Sequence, residues 1–166
     1  MSRVSLLLLL PLLLCTCARD EPEFLTPFGG GGEFTFRGDT YDLTLALVSR
    51  IPDGNDPDFW GLTLNGLLTT DGIQLSIRPV EGDNISAGTY SYCNQCADDD
   101  RLFNGGILVT PDADQGTITG GLADGMVTVE ERAGGRYRIV FDIMVAIPGE
   151  GTERVQGTFE GAVTVA

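Results

Sequence analysis

The chain has 166 residues, of which 24 are acidic and 10 are basic, so its formal net charge at pH 7 is −14. This charge excludes nucleic acid as an expected partner, because a polyanion is bound first by Lys and Arg side chains that neutralise its phosphates. The chain has no His and no Lys, which excludes Ser-His-Asp and Cys-His nucleophiles, Ser-Lys dyads and Schiff-base lysines. We therefore expect no catalytic residue and no cofactor.

Residues 1–16 have the layout of a signal peptide. One positive charge at Arg3 precedes an apolar run over residues 6–14, and small residues follow it. The apolar run is about half the ~20 residues that a membrane-spanning helix needs. We expect this segment to direct export and then to be removed.

The end of that segment, Leu14-Cys15-Thr16-Cys17, resembles the lipobox of bacterial lipoproteins. In that family the Cys is acylated and becomes the first residue of the mature protein. The resemblance implies lipidation at Cys17 rather than at Cys15, which follows a bulky Leu. It also implies a membrane as partner, held through several acyl chains, because one chain alone anchors only marginally. The alternative is ordinary signal cleavage with both cysteines discarded or oxidised.

Residues 17–32 are predicted to be a flexible tether. An acidic stretch over residues 19–23 is followed by four glycines at 29–32, and neither can bury much apolar surface. The acidic stretch also resembles the surface-export signal of Bacteroidota lipoproteins, and a solvated linker is the alternative. Residues 33–166 then form one domain, a normal length for a single core.

Alternation of apolar and polar residues at period two dominates this domain and predicts half-buried strands. One such face comprises Tyr41, Leu43, Leu45 and Leu47, and a second comprises Ile73, Leu75 and Ile77. The longest alternating runs begin at Tyr137 and Val155. About ten strands are predicted, at residues 33–38, 40–50, 59–70, 72–80, 87–93, 105–110, 116–122, 125–131, 136–147 and 153–165.

Turn-forming pairs separate these runs and predict hairpins, because Gly, Asn and Asp tolerate the positive φ of tight turns. The pairs are Gly38-Asp39, Asp71-Gly72, Asp124-Gly125, Gly134-Gly135 and Pro148-Gly149. The predicted fold is an all-β antiparallel sandwich of about ten strands, with a closed up-and-down barrel as the alternative. The final strands, with Tyr-x-Ile-x-Phe at 137–141 and Gly-x-Phe-x-Gly at 157–161, resemble the end of small all-β Bacteroidota lipoproteins.

Cys93 and Cys96 are predicted to form a structural disulfide in an oxidising envelope. The pair is followed by three aspartates, which would oppose the acidic thiol that redox catalysis needs. A metal or redox motif is the alternative. Once Cys17 is acylated, these two thiols do not supply all the ligands of a zinc site, so we expect no metal there.

Acidic clusters at residues 53–58, 98–100 and 112–116 lack the ligand spacing of a calcium loop and are interpreted as solvated turns. Trp60 is interpreted as a packing residue, with an exposed sugar-stacking platform as the alternative.

Together these features favour a lipid-anchored lipoprotein of the outer membrane, on its periplasmic or cell-surface face. We expect a non-catalytic binding module whose ligand is a glycan or a protein. The alternatives are a carboxylate-based glycan-active enzyme and a purely structural envelope protein.

Overall fold

The structure, a computed structural model, describes residues 29–53, 56–66, 69–78, 85–93, 101–111 and 116–165. The predicted all-β class is confirmed. These residues contain eleven strands: β1 (Gly30–Phe36), β2 (Asp39–Leu43), β3 (Leu45–Asp53), β4 (Asp56–Asn65), β5 (Gly72–Arg78), β6 (Gly88–Tyr92), β7 (Arg101–Val109), β8 (Ile118–Arg132), β9 (Arg136–Ile147), β10 (Gly151–Ala162) and β11 (Thr164–Val165). None of the described segments is a helix long and apolar enough to cross a membrane.

The eleven strands belong to one hydrogen-bonded sheet, in the order β11-β3-β4-β5-β7-β6-β8-β9-β10-β1-β2. Neighbouring strands are antiparallel except for β6–β7 and β11–β3, which are parallel. Only Val163 separates β10 from β11, yet these two strands lie near opposite ends of that order. The sheet must therefore curl until its ends approach each other, in a barrel-like arrangement around one core.

Because side chains alternate between the two faces of a strand, every second side chain points to the inside of this curled sheet. In β9 the inward residues Tyr137, Ile139, Phe141, Ile143 and Val145 are all buried, as the sequence predicted. Ile73, Leu75 and Ile77 of β5 are likewise buried at 1% exposure or less. One cluster contains all the buried apolar side chains, so the described strands share a single core.

The predicted hairpins at three turns are confirmed. Arg37 and Gly38 connect β1 to β2 with φ of 55° and 88°, as a two-residue type I′ turn requires at both positions, so this turn lies one residue earlier than the predicted pair Gly38-Asp39. Gly134 and Gly135 also adopt positive φ between β8 and β9. Between β9 and β10, Glu150 donates its backbone N–H to the carbonyl oxygen of Ile147 at 3.0 Å.

The predicted turn at Asp124-Gly125 is wrong, because both residues lie inside the fifteen-residue strand β8. The register with β9 shifts between Leu122 and Asp124, which marks a β-bulge. Gly125 has a φ of 117°, and a Cβ there would lie 2.5 Å from the Cα of Ile143. Its glycine therefore permits a bulge and a close approach of backbones rather than a reversal of the chain.

The predicted common face of Tyr41, Leu43, Leu45 and Leu47 is also wrong. Leu43 is buried, but the next inward residues are Ala46 and Val48. The phase changes at Thr44, which belongs to neither β2 nor β3. There the chain exchanges its neighbour β1 for β4, so the inward positions move from odd to even numbers.

The first strand begins at Gly30 rather than at the predicted residue 33, because Gly30–Gly32 form the first part of β1 and pair with β10. A Cβ on Gly30 would lie 2.9 Å from the Cα of Gly161, and one on Gly32 would lie 2.7 Å from the Cα of Phe159. These glycines permit close packing of two strands. The sequence pattern alone had indicated flexibility.

Candidate functional site

A groove crosses the outer face of the sheet over β4, β5, β7 and β8. Residues paired across neighbouring strands lie side by side, and alternate residues along one strand share a face. One row of the outer face runs Thr63, Gln74, Gly106 and Gly121. The next row runs Asn65, Gly72, Leu108 and Thr119.

Glycines leave the middle of the groove without side chains. A Cβ on Gly106 would overlap the carbonyl oxygen of Gly120, and one on Gly105 would lie 3.1 Å from the Cα of Leu75. Asn104 holds the backbone at Gly105, because its side-chain oxygen accepts the Gly105 N–H at 2.8 Å. A cavity of about 370 Å³ results, which is within the range of small-molecule sites.

The walls of this cavity, called the polar groove below, carry uncharged hydrogen-bonding groups. Asn65 and Gln74 provide amides that both donate and accept, and the Thr hydroxyls do the same. Among the described residues, no Asp, Glu or Arg lines it. Its chemistry therefore suits an uncharged ligand with many hydroxyl or amide groups. The lining residues are Thr63, Asn65, Thr70, Gly72, Ile73, Gln74, Gly105, Gly106, Ile107, Leu108 and Thr119.

A second groove of about 450 Å³ lies over β8, β9 and β10, and we call it the methionine groove. It is lined by Met126, which is 48% exposed, and by Met144. Arg154 donates to both carboxylate oxygens of Asp142, at 2.8 and 2.6 Å, and Gln156 donates to one of them at 3.2 Å. Ser91, Tyr92 and Asp124 also line this groove, so it combines charged, hydroxyl and thioether groups, in contrast to the uncharged polar groove.

One carboxylate of this second groove, Asp142, has a pKa shifted in the direction opposite to that of a general acid. The hydrogen bond from Arg154 is the main reason that the pKa of Asp142 lies below its ordinary value, and the charge of Arg154 acts in the same direction. A glycosidase needs one carboxyl group that stays protonated near neutral pH, which requires a raised pKa. Asp142 is therefore a paired surface carboxylate rather than a general acid.

The predicted disulfide is only partly within the described residues. Cys93 directly follows β6, and its backbone N–H donates to the carbonyl oxygen of Leu102 at 2.9 Å. Cys96 lies outside the described residues, so its pairing with Cys93 stays a prediction. Cys17 and the whole of residues 1–28 also lie outside them, and lipidation stays a prediction as well.

The acidic clusters and Trp60 have separate outcomes. In the first cluster the carboxylate of Asp58 accepts from Arg50 at 2.8 Å, while most other members of the three clusters lie outside the described residues. In the described part of the chain, no group of three or more His, Cys, Asp or Glu residues could hold a metal ion. Trp60 is 2% exposed, which confirms packing and excludes a surface stacking platform.

Sequence reasoning missed the polar groove, because its walls come from four strands and depend on their register. A local signal was nevertheless present. The glycine pairs Gly105-Gly106 and Gly120-Gly121 interrupt two β-patterned segments, and a glycine inside a strand often marks a bulge or a close approach.

Comparison with known proteins gives no relative. No protein-family model matches the chain, no curated protein is significantly similar to it, and no solved structure matches its fold. The site is therefore interpreted from its own chemistry.

Proposed function

We propose that this protein is a lipid-anchored lipoprotein of the outer membrane, on its periplasmic or cell-surface face. In this proposal it acts as a non-catalytic binding module whose polar groove takes an uncharged glycan. The observation that carries the proposal is the wall chemistry of that groove. The polar groups of the groove, which are the amides of Asn65 and Gln74 and the threonine hydroxyls, are all uncharged. They match the alternating donors and acceptors of sugar hydroxyls, while Ile73, Ile107 and Leu108 add apolar surface.

The neutrality of the groove matters because the rest of the chain is acidic. A net charge of −14 disfavours anionic ligands over the whole surface. A neutral glycan is not repelled, and it gains hydrogen bonds where the surface is concave. None of the described residues that line the groove has an aromatic ring on which a sugar could stack. We therefore expect weak binding that depends mainly on hydrogen bonds, with a dissociation constant on the order of 0.1 to 1 mM. Few side chains should each make a large contribution to it.

The anchor rests on the lipobox-like segment that ends at Cys17. The glycine-rich strand β1 begins at Gly30, so a short segment would separate the acylated cysteine from the folded domain. Such a tether would present the outer face of the sheet to ligands near the membrane. The Cys93–Cys96 disulfide belongs to the same proposal, as a staple in the segment between β6 and β7.

The experiment is a glycan array probed with the purified protein, followed by analysis of the bound glycans for cleavage. We expect retention of neutral glycans without product release. Gln74→Ala should weaken retention because it removes one exposed amide from the groove, and Thr119→Tyr should block it by filling the groove. Gln156→Ala is the matched control, since Gln156 is also an exposed outer-face glutamine but lies outside the polar groove.

Three outcomes would reject the proposal. Release of a shortened glycan would indicate the enzymatic alternative. Binding that all three variants retain equally would move the site elsewhere. Retention of no neutral glycan by the wild-type protein would favour the purely structural alternative.

A further inference from the structure

The polar groove contains one apolar side chain that belongs to the outer face of the sheet. Of the three apolar residues among its described lining, Ile73 and Ile107 point into the core and are 1% and 5% exposed. Leu108 has the opposite parity in β7, so it points outward, and it is only half-buried. Its partner on β5 is Gly72, which has no side chain, so the flank of Leu108 that faces β5 has no cross-strand side chain beside it.

The side-chain amide of Asn65 lies over Gly72, next to Leu108. A Cβ on Gly72 would overlap the side-chain oxygen of Asn65 and would lie 3.0 Å from its Cγ. Asn65 therefore extends from β4 across β5, in the direction of β7. Because neighbouring strands are about 4.8 Å apart, the amide and the leucine side chain are neighbours on the outer face. No hydrogen bond between described residues engages this amide, so it is available to a ligand.

An amide beside an apolar side chain is complementary to an acetamido group. Such a group carries an N–H donor, a carbonyl acceptor and, on the adjacent carbon, a methyl group. The Asn65 amide can both donate and accept, and Leu108 offers apolar surface on which the methyl group leaves water. A sugar that carries only hydroxyls would bring one of them against Leu108, where it loses water without gaining a hydrogen bond. This pair of residues therefore distinguishes the two kinds of sugar.

Charge disfavours the ionised substituents that sugars commonly carry. The described lining has no Asp or Glu to pair with a protonated amino group. The net charge of −14 repels a sugar carboxylate. An acetamido group is uncharged and meets neither difficulty. The exposed amide of Gln74, in the neighbouring row of the outer face, remains for the ring hydroxyls.

We propose that the polar groove selects glycans that contain an N-acetylhexosamine, a preference that rests on the glycan-binding function proposed above. The acetamido group lies between Asn65 and Leu108, with its amide hydrogen-bonded to Asn65 and its methyl group packed on Leu108. Gln74 and Thr119 bond to the hydroxyls of the same ring or of the next one.

The test is saturation-transfer difference NMR with the purified protein. The probes are the methyl glycosides of N-acetylglucosamine and N-acetylgalactosamine, compared with those of glucose, galactose and glucosamine. We expect each acetylated sugar to bind at least 5-fold more tightly than its parent, through one hydrogen bond and one apolar contact. The acetyl methyl protons should receive the largest saturation of any protons in the sugar. The glucosamine glycoside should bind within 2-fold of the glucose glycoside.

Two variants locate the preference in the groove. Leu108→Thr removes the apolar surface and keeps a residue that suits a strand. Asn65→Ala removes the amide. Each should reduce the preference for the acetylated sugar to less than 2-fold while changing the affinity for the glucose glycoside by less than 2-fold. Val140→Thr is the matched control, since Val140 is a half-buried aliphatic residue on the outer face of β9 and lies outside the polar groove.

Thermal melting of each variant checks that it is folded, and either of the two variants alone keeps the test decisive. Equal binding of acetylated and parent sugars would overturn the preference and leave the proposed glycan binding intact. An equal loss with Val140→Thr, or the tightest binding by glucosamine, would overturn it as well, since the first removes the location and the second indicates only charge attraction. If no glycoside binds, the preference is rejected, and the glycan array decides the proposed function separately.

Discussion

Replacing Gly32 with Ala should destabilise the domain strongly, whereas replacing its neighbour Gly31 should not. A Cβ on Gly32 would overlap the carbonyl oxygen of Thr158 and lie 2.7 Å from the Cα of Phe159, both atoms of the β10 backbone. A Cβ on Gly31 would meet only the carbonyl oxygen of Leu43, at 4.0 Å. Gly31 and Gly32 are adjacent residues of the same type, so the two variants differ in what the added methyl group would contact.

The magnitude follows from which atoms must move. Flexible side chains can rotate away from a new methyl group, but backbone can yield only if β1 and β10 separate and weaken their ladder. Overpacking typically costs about 1 to 3 kcal/mol, and a backbone clash lies at the upper end, so we expect a loss of about 3 kcal/mol for Gly32→Ala. That corresponds to a fall of about 10 °C in Tm for a domain of this size. Gly31→Ala should change stability by about 0.5 kcal/mol or less.

The assay is thermal and urea unfolding of the wild-type protein and the two variants, followed by circular dichroism. The m-value in urea should stay constant, so that a shifted midpoint reports stability. Equal melting of Gly32→Ala and wild-type protein would refute the placement of these glycines in β1. It would instead support the flexible tether that the sequence predicted.

Three further predictions concern the cysteines and one ion pair. Cys17→Ser should abolish partitioning into detergent without altering the melting of the domain, and continued partitioning would contradict lipidation there. Replacing both Cys93 and Cys96 with Ser should cost about 1 to 2 kcal/mol, since the loop is short, and intact-mass alkylation that labels both thiols in the wild-type protein would contradict the disulfide. Asp142→Asn should lower Tm at pH 7 by only on the order of 1 °C, because the pair with Arg154 is exposed. The lowered pKa of Asp142 means that its stabilisation is present above the unfolded-state pKa and disappears as pH falls through the folded-state pKa, so a difference in Tm that does not decrease as the solution is acidified would contradict this assignment.

Sequence patterns predicted those parts of the fold that depend on near neighbours. The alternation from Tyr137 to Val145 is a property of one strand, and it correctly gave the buried face of β9. The hairpin turn at Gly134 and Gly135 depends on local φ, and its position was predicted for the same reason.

Features that depend on distant partners were not predictable in this way. Asp124-Gly125 has the composition of a turn, but its bulge is set by pairing with β9. At Thr44 the alternation continues in the sequence while the chain changes neighbours, and the inward face changes with it. Gly32 illustrates the same limit, because its close contact is with β10, more than a hundred residues later.

The candidate site shows this limit most clearly. Gln74, Gly106 and Thr119 meet only because β5, β7 and β8 pair in one particular register. Glycine pairs in strands hint at a depression, but the wall chemistry depends on residues from four separate strands. The absence of His and Lys, by contrast, could be used from the sequence alone, because it does not depend on how the strands pair.

The most direct test of the polar groove is a calorimetric titration of the best-retained neutral glycan into four proteins: wild type, Gln74→Ala, Thr119→Tyr and Gln156→Ala. We predict one site per chain, an affinity reduced about 5- to 10-fold by Gln74→Ala through loss of one hydrogen bond, no heat with Thr119→Tyr, and wild-type affinity with Gln156→Ala. Unchanged affinity in Gln74→Ala and Thr119→Tyr, or an equal loss in Gln156→Ala, would contradict the assignment of ligand binding to this groove.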